Sequence, residues 1–152
     1  MLPDDLESIA PCGMNCSVCS RYLAHRYDVQ SIGVKIPYCT GCRPRGKKCA
    51  FQKRCDLLKK DGVRFCYECS SFPCENVQRL DARYQKHYRT SFIENLTFIK
   101  EHSLGAFVER ENAKWRCAQC GALLSCHNGI CFNCSVDRLR GRKKLYRWDD
   151  EL

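Results

Sequence analysis

Residues 12–19 read Cys12-Gly13-Met14-Asn15-Cys16-Ser17-Val18-Cys19, three thiols within eight positions. A Cys-x-x-Cys turn lets two sulfurs reach one ion about 2.3 Å away, while amides of the same turn hydrogen-bond to the thiolates. Cys39-Thr40-Gly41-Cys42 repeats the turn, with 19 residues between Cys19 and Cys39, inside the spacing of roughly 15 to 20 used by four-cysteine zinc modules. Cys16, Cys19, Cys39 and Cys42 therefore read as one ligand set. Moving outward, Cys49, Cys55, Cys66-Tyr67-Glu68-Cys69 and Cys74 follow. Nearness in sequence makes Cys49, Cys55, Cys66 and Cys69 a second set and leaves Cys12 and Cys74 unassigned. Cys74 follows Pro73 at a predicted helix start, where the macrodipole favours a thiolate, so it is equally a candidate ligand.

At the far end, Trp115-Arg116-Cys117-Ala118-Gln119-Cys120-Gly121 and Cys131-Phe132-Asn133-Cys134 flank ten residues. Two such knuckles, with Gly121 relieving the turn after the first, predict a zinc-ribbon-like β-hairpin around Cys117, Cys120, Cys131 and Cys134. Cys126 and His127 lie between the pairs and read as structural or surface groups rather than ligands.

The chain has 152 residues and 15 cysteines, a proportion that leaves a disulfide scaffold or a metal scaffold. Its opening MLPDDLESIA carries three carboxylates and no apolar run, which predicts neither a secretory signal nor a membrane anchor, and no later segment reaches spanning length. The expectation is a cytoplasmic protein with reduced thiols, and reduced thiols paired this densely are metal ligands. Fourteen of them taken four at a time predict two or three zinc ions per chain. Iron is the alternative for the amino-terminal region. The Cys-x3-Cys-x2-Cys opening has the spacing with which radical-SAM enzymes hold a four-iron cluster, but the chain is too short for their barrel. The ferredoxin run closing on Cys-Pro is absent, which leaves one simple 4Fe–4S cluster as the iron reading.

Composition divides the chain into a cysteine-rich metal region at 9–75, a helical region at 76–113, the ribbon-like module at 114–136 and a basic tail at 137–152. Within the helical region, Ser91 and Glu94 have the capping-box spacing, and Phe92, Leu96 and Ile99 share one face of a helix over 91–101. A preceding helix is predicted from Pro73 through Val77, Leu80 and Tyr84, and a third over Leu104, Phe107 and Val108. Residues 49–60 predict a short amphipathic helix with Phe51, Cys55 and Leu58 on one side and Gly62 ending it, and residues 17–27 another. Helices this short are marginal alone, so metal has to hold them. The fold class expected is a small metal-stabilised α+β protein.

Several ordered motifs resemble a microbial family. They are Ala10-Pro11-Cys12-Gly13-Met14-Asn15-Cys16-Ser17-Val18-Cys19, Cys39 with Gly41-Cys42, Phe65-Cys66-Tyr67-Glu68-Cys69, Phe72-Pro73-Cys74-Glu75, Arg79-Leu80-Asp81 and Ile93-Glu94-Asn95-Leu96. The family is domain-of-unknown-function family 3795, and the resemblance runs from about residue 9 to 135. Ser135 stands where the ribbon's second knuckle would be expected to carry glycine. The resemblance implies metal binding and no particular reaction.

The formal charge of +9 suggests an anionic partner. A four-thiolate zinc site, however, carries about −2, so three of them would bring the balance to about +3. Arg138, Arg140, Arg142, Lys143, Lys144 and Arg147, with Tyr146 and Trp148 available for stacking, are the candidate nucleic-acid contacts. A second basic cluster spans 43–54. Against them stands a solvated tail balanced by Asp149, Asp150 and Glu151. Closed thiolate sites and only four histidines, none in a metalloprotease motif, favour a non-enzymatic zinc protein that meets a protein partner. The alternatives are nucleic-acid binding through the tail and an iron–sulfur or redox role for the amino-terminal cysteines, with Cys12, Cys74 and Cys126 as the reactive candidates.

Overall fold

The computed structural model describes residues 7–152; the first six positions of the opening stretch weighed above as a leader lie outside the described residues. The amino-terminal thiols sit on a loop that tightens into a 3-10 turn at Cys16–Val18, where the Asn15 side chain accepts the Ser17 amide at 3.0 Å. Helix α1, Ser20–Arg26, follows and buries Ser20, Leu23 and Ala24, the i, i+3, i+4 face of a short amphipathic helix. A second 3-10 turn, Val29–Ile32, returns the chain along it.

The helix predicted over 49–60 is instead two single-turn helices, α2 at Ala50–Lys53 and α3 at Asp56–Lys59. Cys55 lies between them with extended backbone, which turns its thiol away from the line of a continuous helix. α3 ends on Asp61 at φ +52°, and the Gly62 amide reaches back to the Leu57 carbonyl at 2.7 Å. The left-handed position is thus Asp61, not Gly62.

α4 runs Glu75–Tyr88 with Cys74 at its N-cap, two residues later than Pro73 suggested. α5 is Phe92–Glu101, whose cap Ser91 accepts the Glu94 amide at 3.2 Å. α6 is Leu104–Lys114, with the Ser103 hydroxyl accepting the Ala106 amide at 3.0 Å. Asp81 of α4 fixes the corner between the first two of these. One of its carboxylate oxygens takes the Ser91 hydroxyl at 2.7 Å and the Ile93 amide at 3.2 Å.

Packing follows from these faces. Ile9, Leu58, Val77, Leu96 and Phe107 belong to one buried cluster, which draws on the amino-terminal loop and on α3 to α6. A second joins Ala10, Met14, Val18, Phe92, Trp115 and Cys126, so the amino-terminal loop, α5 and the carboxy-terminal segment share it. A third holds Leu23, Val34 and Ile36 against Ile130, Phe132 and Leu139. α5 grips the first thiol loop closely: Asn95 donates to the Gly13 carbonyl at 3.0 Å, and a Cβ on Gly13 would stand 3.0 Å from the Leu96 Cγ.

The predicted α+β class and the carboxy-terminal β-hairpin do not hold. Among the described residues there is no sheet, only the isolated bridges Ile9–Asn15, Arg116–Leu123 and Leu124–Cys131. The reason lies in where the backbone donors go. A hairpin needs consecutive pairing between its two arms, yet Leu123 and Leu124 bridge to opposite sides of the segment. The next amide but one, Cys126, then leaves for the Val18 carbonyl at 2.8 Å. The segment is a pair of turns docked on the helical body, so the zinc-ribbon reading is withdrawn with the hairpin. No helix among the described residues is long and apolar enough to cross a membrane.

Candidate metal centres

The turns bring Cys117, Cys120, Cys131 and Cys134 together with all four sulfurs within 4.8 Å of one another. Cys117 faces Cys134 at 3.7 Å and Cys120 faces Cys131 at 3.5 Å. Each knuckle points amides at its first sulfur: those of Cys120 and Gln119 at Cys117, those of Cys134 and Asn133 at Cys131. The Ala122 amide and the Asn133 side chain hold the Cys120 thiol down to about 6, whereas burial pushes Cys131 up to about 12. Gly121 follows the first knuckle at φ +80°, a left-handed step that an L side chain rarely takes. This four-cysteine group can hold a metal ion.

The amino-terminal cysteines are arranged more loosely. The Cys42 amide donates to the Cys16 sulfur at 3.4 Å. The two thiols also share a hydrogen bond that raises Cys16 and lowers Cys42 to about 7. Cys19 is raised by burial; the Arg21 and Tyr22 amides point at it, and Cys42 and Cys39 are its thiol neighbours. Cys39 accepts the Gly41 amide at 3.4 Å and lies 3.9 Å from an Arg45 nitrogen. Cys66 is pushed up to about 12 by burial and by the thiols of Cys55, Cys74 and Cys69, and Cys69 accepts the Ser71 amide at 3.4 Å. Cys74, not Cys49, thus stands beside Cys66. Cys12 is raised by burial and surrounded by the thiols of Cys42, Cys66 and Cys49. The Cys66 amide donates to the Pro11 carbonyl at 2.9 Å, which ties the two loops together.

Cys126 and His127 form the junction between the amino-terminal and carboxy-terminal cysteine regions. The Ser20 amide donates to His127 Nδ1 at 3.2 Å, which leaves the proton on Nε2 to donate to the Tyr84 hydroxyl at 3.1 Å. Burial lowers His127 from 6.5 to about 4, with Arg21 and Arg83 adding to the effect. Cys126 is fully buried, and its thiol is raised by that burial. In the sequence Asp81 stood only within the Arg79-Leu80-Asp81 motif and Cys126 and His127 only as structural or surface groups; the Asn128-Gly129 pair after His127 was the available sign of a tight turn.

The basic tail is folded onto the body. Trp148 donates its indole N–H to the Cys126 carbonyl at 2.8 Å, and Arg89 stacks 3.7 Å above its ring. Arg138 and Arg142 both pair with Asp149, Arg140 with Asp137, and Arg147 donates to the Tyr88 hydroxyl at 3.1 Å. Of the six bases singled out, Lys143, Lys144 and Arg147 have no ion pair among the described residues.

Residues 8–79 match a protein family of unknown function, DUF3795. The match takes in all ten amino-terminal cysteines, ends inside α4 and leaves out the carboxy-terminal set. No curated protein and no solved structure matches the chain.

Proposed function

We propose that this chain is a non-enzymatic zinc protein whose ion organises a small helical body for contact with another protein. The zinc is held by Cys117, Cys120, Cys131 and Cys134. The observation that carries the reading is the cross-facing of two thiol pairs at 3.7 and 3.5 Å. Four sulfurs that close surround a single ion as a tetrahedron and leave no position for water or substrate. Thiolates with backbone amides aimed at them suit a soft-ligand divalent ion held for structure.

The folded tail weighs against nucleic acid, because Asp137 and Asp149 already pair with three of its arginines. The test is cobalt substitution. Expected is a tetrahedral-thiolate visible spectrum that does not move when azide or cyanide is added; a shift on adding either would reveal an open position and sink the non-enzymatic reading. Cys120→Ser is expected to lower zinc by about one ion per chain in native mass spectrometry, because each site takes one ion.

A further inference from the structure

Cys55, Cys66, Cys69 and Cys74 reach one cavity of about 30 Å³ from three separate places. Cys55 precedes α3, Cys66 and Cys69 bracket the 3-10 turn Cys66–Glu68, and Cys74 caps α4. The rest of the wall is largely hydrocarbon, from Phe51, Leu58, Val63, Phe72 and Val77. Cys49, which sequence order would put in this set, is not among the residues that line the cavity.

Two features constrain what the four thiols would hold. They surround the cavity without closing on each other: among the described residues, the carboxy-terminal set is the one group of three or more ligand atoms lying within 4.8 Å of one another. A lone zinc sits in the hole between four sulfurs about 2.3 Å from it, and so needs them nearly in contact. The cavity of about 30 Å³ also exceeds the roughly 10 to 15 Å³ needed for one water, so it has room for more than a single ion. A cubane of iron and sulfide meets both conditions, because each cysteine binds its own iron and the inorganic core stands between the thiolates. An apolar wall excludes water and oxygen ligands that would compete for the iron.

We infer that Cys55, Cys66, Cys69 and Cys74 ligate a four-iron, four-sulfide cluster in this cavity, a cofactor beyond the zinc ion proposed above. Its assembly needs no outside oxidant when two ferrous and two ferric ions meet four sulfides; the four thiols release their protons to solvent as the iron–sulfur bonds form.

The experiment is anaerobic reconstitution of the full chain with equal ferrous and ferric iron and inorganic sulfide. Expected are about four irons and four acid-labile sulfides per chain, brown charge-transfer absorption, and iron–iron scattering in the X-ray absorption spectrum. Cys74→Ser is expected to lower bound iron at least tenfold, while Cys49→Ser and Cys117→Ser keep it. Cys117→Ser loses a zinc instead, which separates this inference from the zinc reading. Absence of sulfide and of iron–iron scattering in the wild-type chain overturns the inference without recourse to any variant. So does a cluster that survives Cys74→Ser.

Discussion

The carboxy-terminal thiols and those around Cys66 are built from the same Cys-x-x-Cys turn, yet they end in different geometries. In the first, two turns face each other across a short loop, and the sulfurs meet at 3.5 and 3.7 Å. In the second, one turn is completed by thiols at the starts of α3 and α4, and their spacing is set by how those helices pack around Phe51, Leu58 and Val77. A knuckle fixes two sulfurs and their amide hydrogen bonds, and the distance to the other two belongs to tertiary structure. Identical local motifs can therefore suit a single ion in one place and a larger guest in another.

The largest expected effect attacks the compact set. Cys131 is buried and Cys120 exposed, so Cys131→Ser removes a ligand and leaves a buried hydroxyl. Loss of a metal is among the few single changes that cost more than about 4 kcal/mol. Cys120→Ser should cost less, because solvent can reach the gap. Thermal melts of both variants beside zinc stoichiometry check this. Equal melting temperatures would mean that burial of the ligand does not matter at this site, and the contrast with the cavity set would lose its basis.

Next is the clamp between the two cysteine regions. His127 falls from 6.5 to about 4 on folding, so above pH 6.5 both folded and unfolded chains hold it neutral and its full contribution is present. Between pH 6.5 and 4 only the unfolded chain takes up the proton, and stability falls. At about 1.4 kcal/mol for each tenfold in proton affinity the loss reaches about 3 kcal/mol. His127→Gln keeps a side chain able to hydrogen-bond and removes the titration. Because acid also strips metal from thiolates, the quantity to compare is the difference between wild type and variant in denaturant melts from pH 7 to 4. That difference should shrink by about 3 kcal/mol as pH falls; a constant difference contradicts the clamp.

A smaller effect concerns the tail. Gly129 has φ +72°, and a Cβ there would lie 2.3 Å from the Trp148 ring. Gly129→Ala must move the indole off the Cys126 carbonyl, an overpacking that typically costs about 1 to 3 kcal/mol. Trp148 fluorescence should shift toward that of an exposed indole while zinc at the carboxy-terminal set is retained. Loss of zinc in this variant would show that the tail and the thiol turns fold as one unit.

How much of this was legible beforehand depends on the range of the interaction. α5 could be read from Ser91, Glu94 and the Phe92, Leu96, Ile99 stripe because capping and helical periodicity act within four residues. The division of 49–60 into two turns could not, since the break at Cys55 serves a thiol that points toward residues 66–74. The place of Cys74 beside Cys66 has the same origin: sequence distance ranked Cys49 first, and the fold brings the α4 cap to the same cavity as Cys55, Cys66 and Cys69. The β-hairpin failed because a pair of knuckles specifies two turns and not the ladder between them. The Cys126 amide that would have helped extend that ladder is drawn to Val18, more than a hundred residues earlier. That the carboxylates after the basic tail balance it was legible, but their partners were not: only the fold of 137–151 brings Asp149 back to Arg138 and Arg142.

The smallest expected effect on stability is also the sharpest probe of that tail. Asp149 binds Arg138 and Arg142, and its side chain is more than half exposed. An exposed ion pair such as Arg138–Asp149 contributes about 0.2 to 1 kcal/mol, and the mostly buried Arg142 keeps its bond to the Arg147 carbonyl, so Asp149→Asn should lower the melting midpoint only slightly. Its electrostatic consequence is larger, because two arginines lose their neutralising partner at once. If internal pairing is what masks the tail, wild-type affinity for a labelled oligonucleotide should be weak and nearly independent of salt. The variant should then bind more tightly, with an affinity that falls as salt rises, since each phosphate contact releases a counter-ion. Strong salt-dependent binding by the wild type would instead place its nucleic-acid surface elsewhere, on the second basic cluster at 43–54, where Arg43 is held by the Ile9 and Arg64 carbonyls and Lys48 by Asp61.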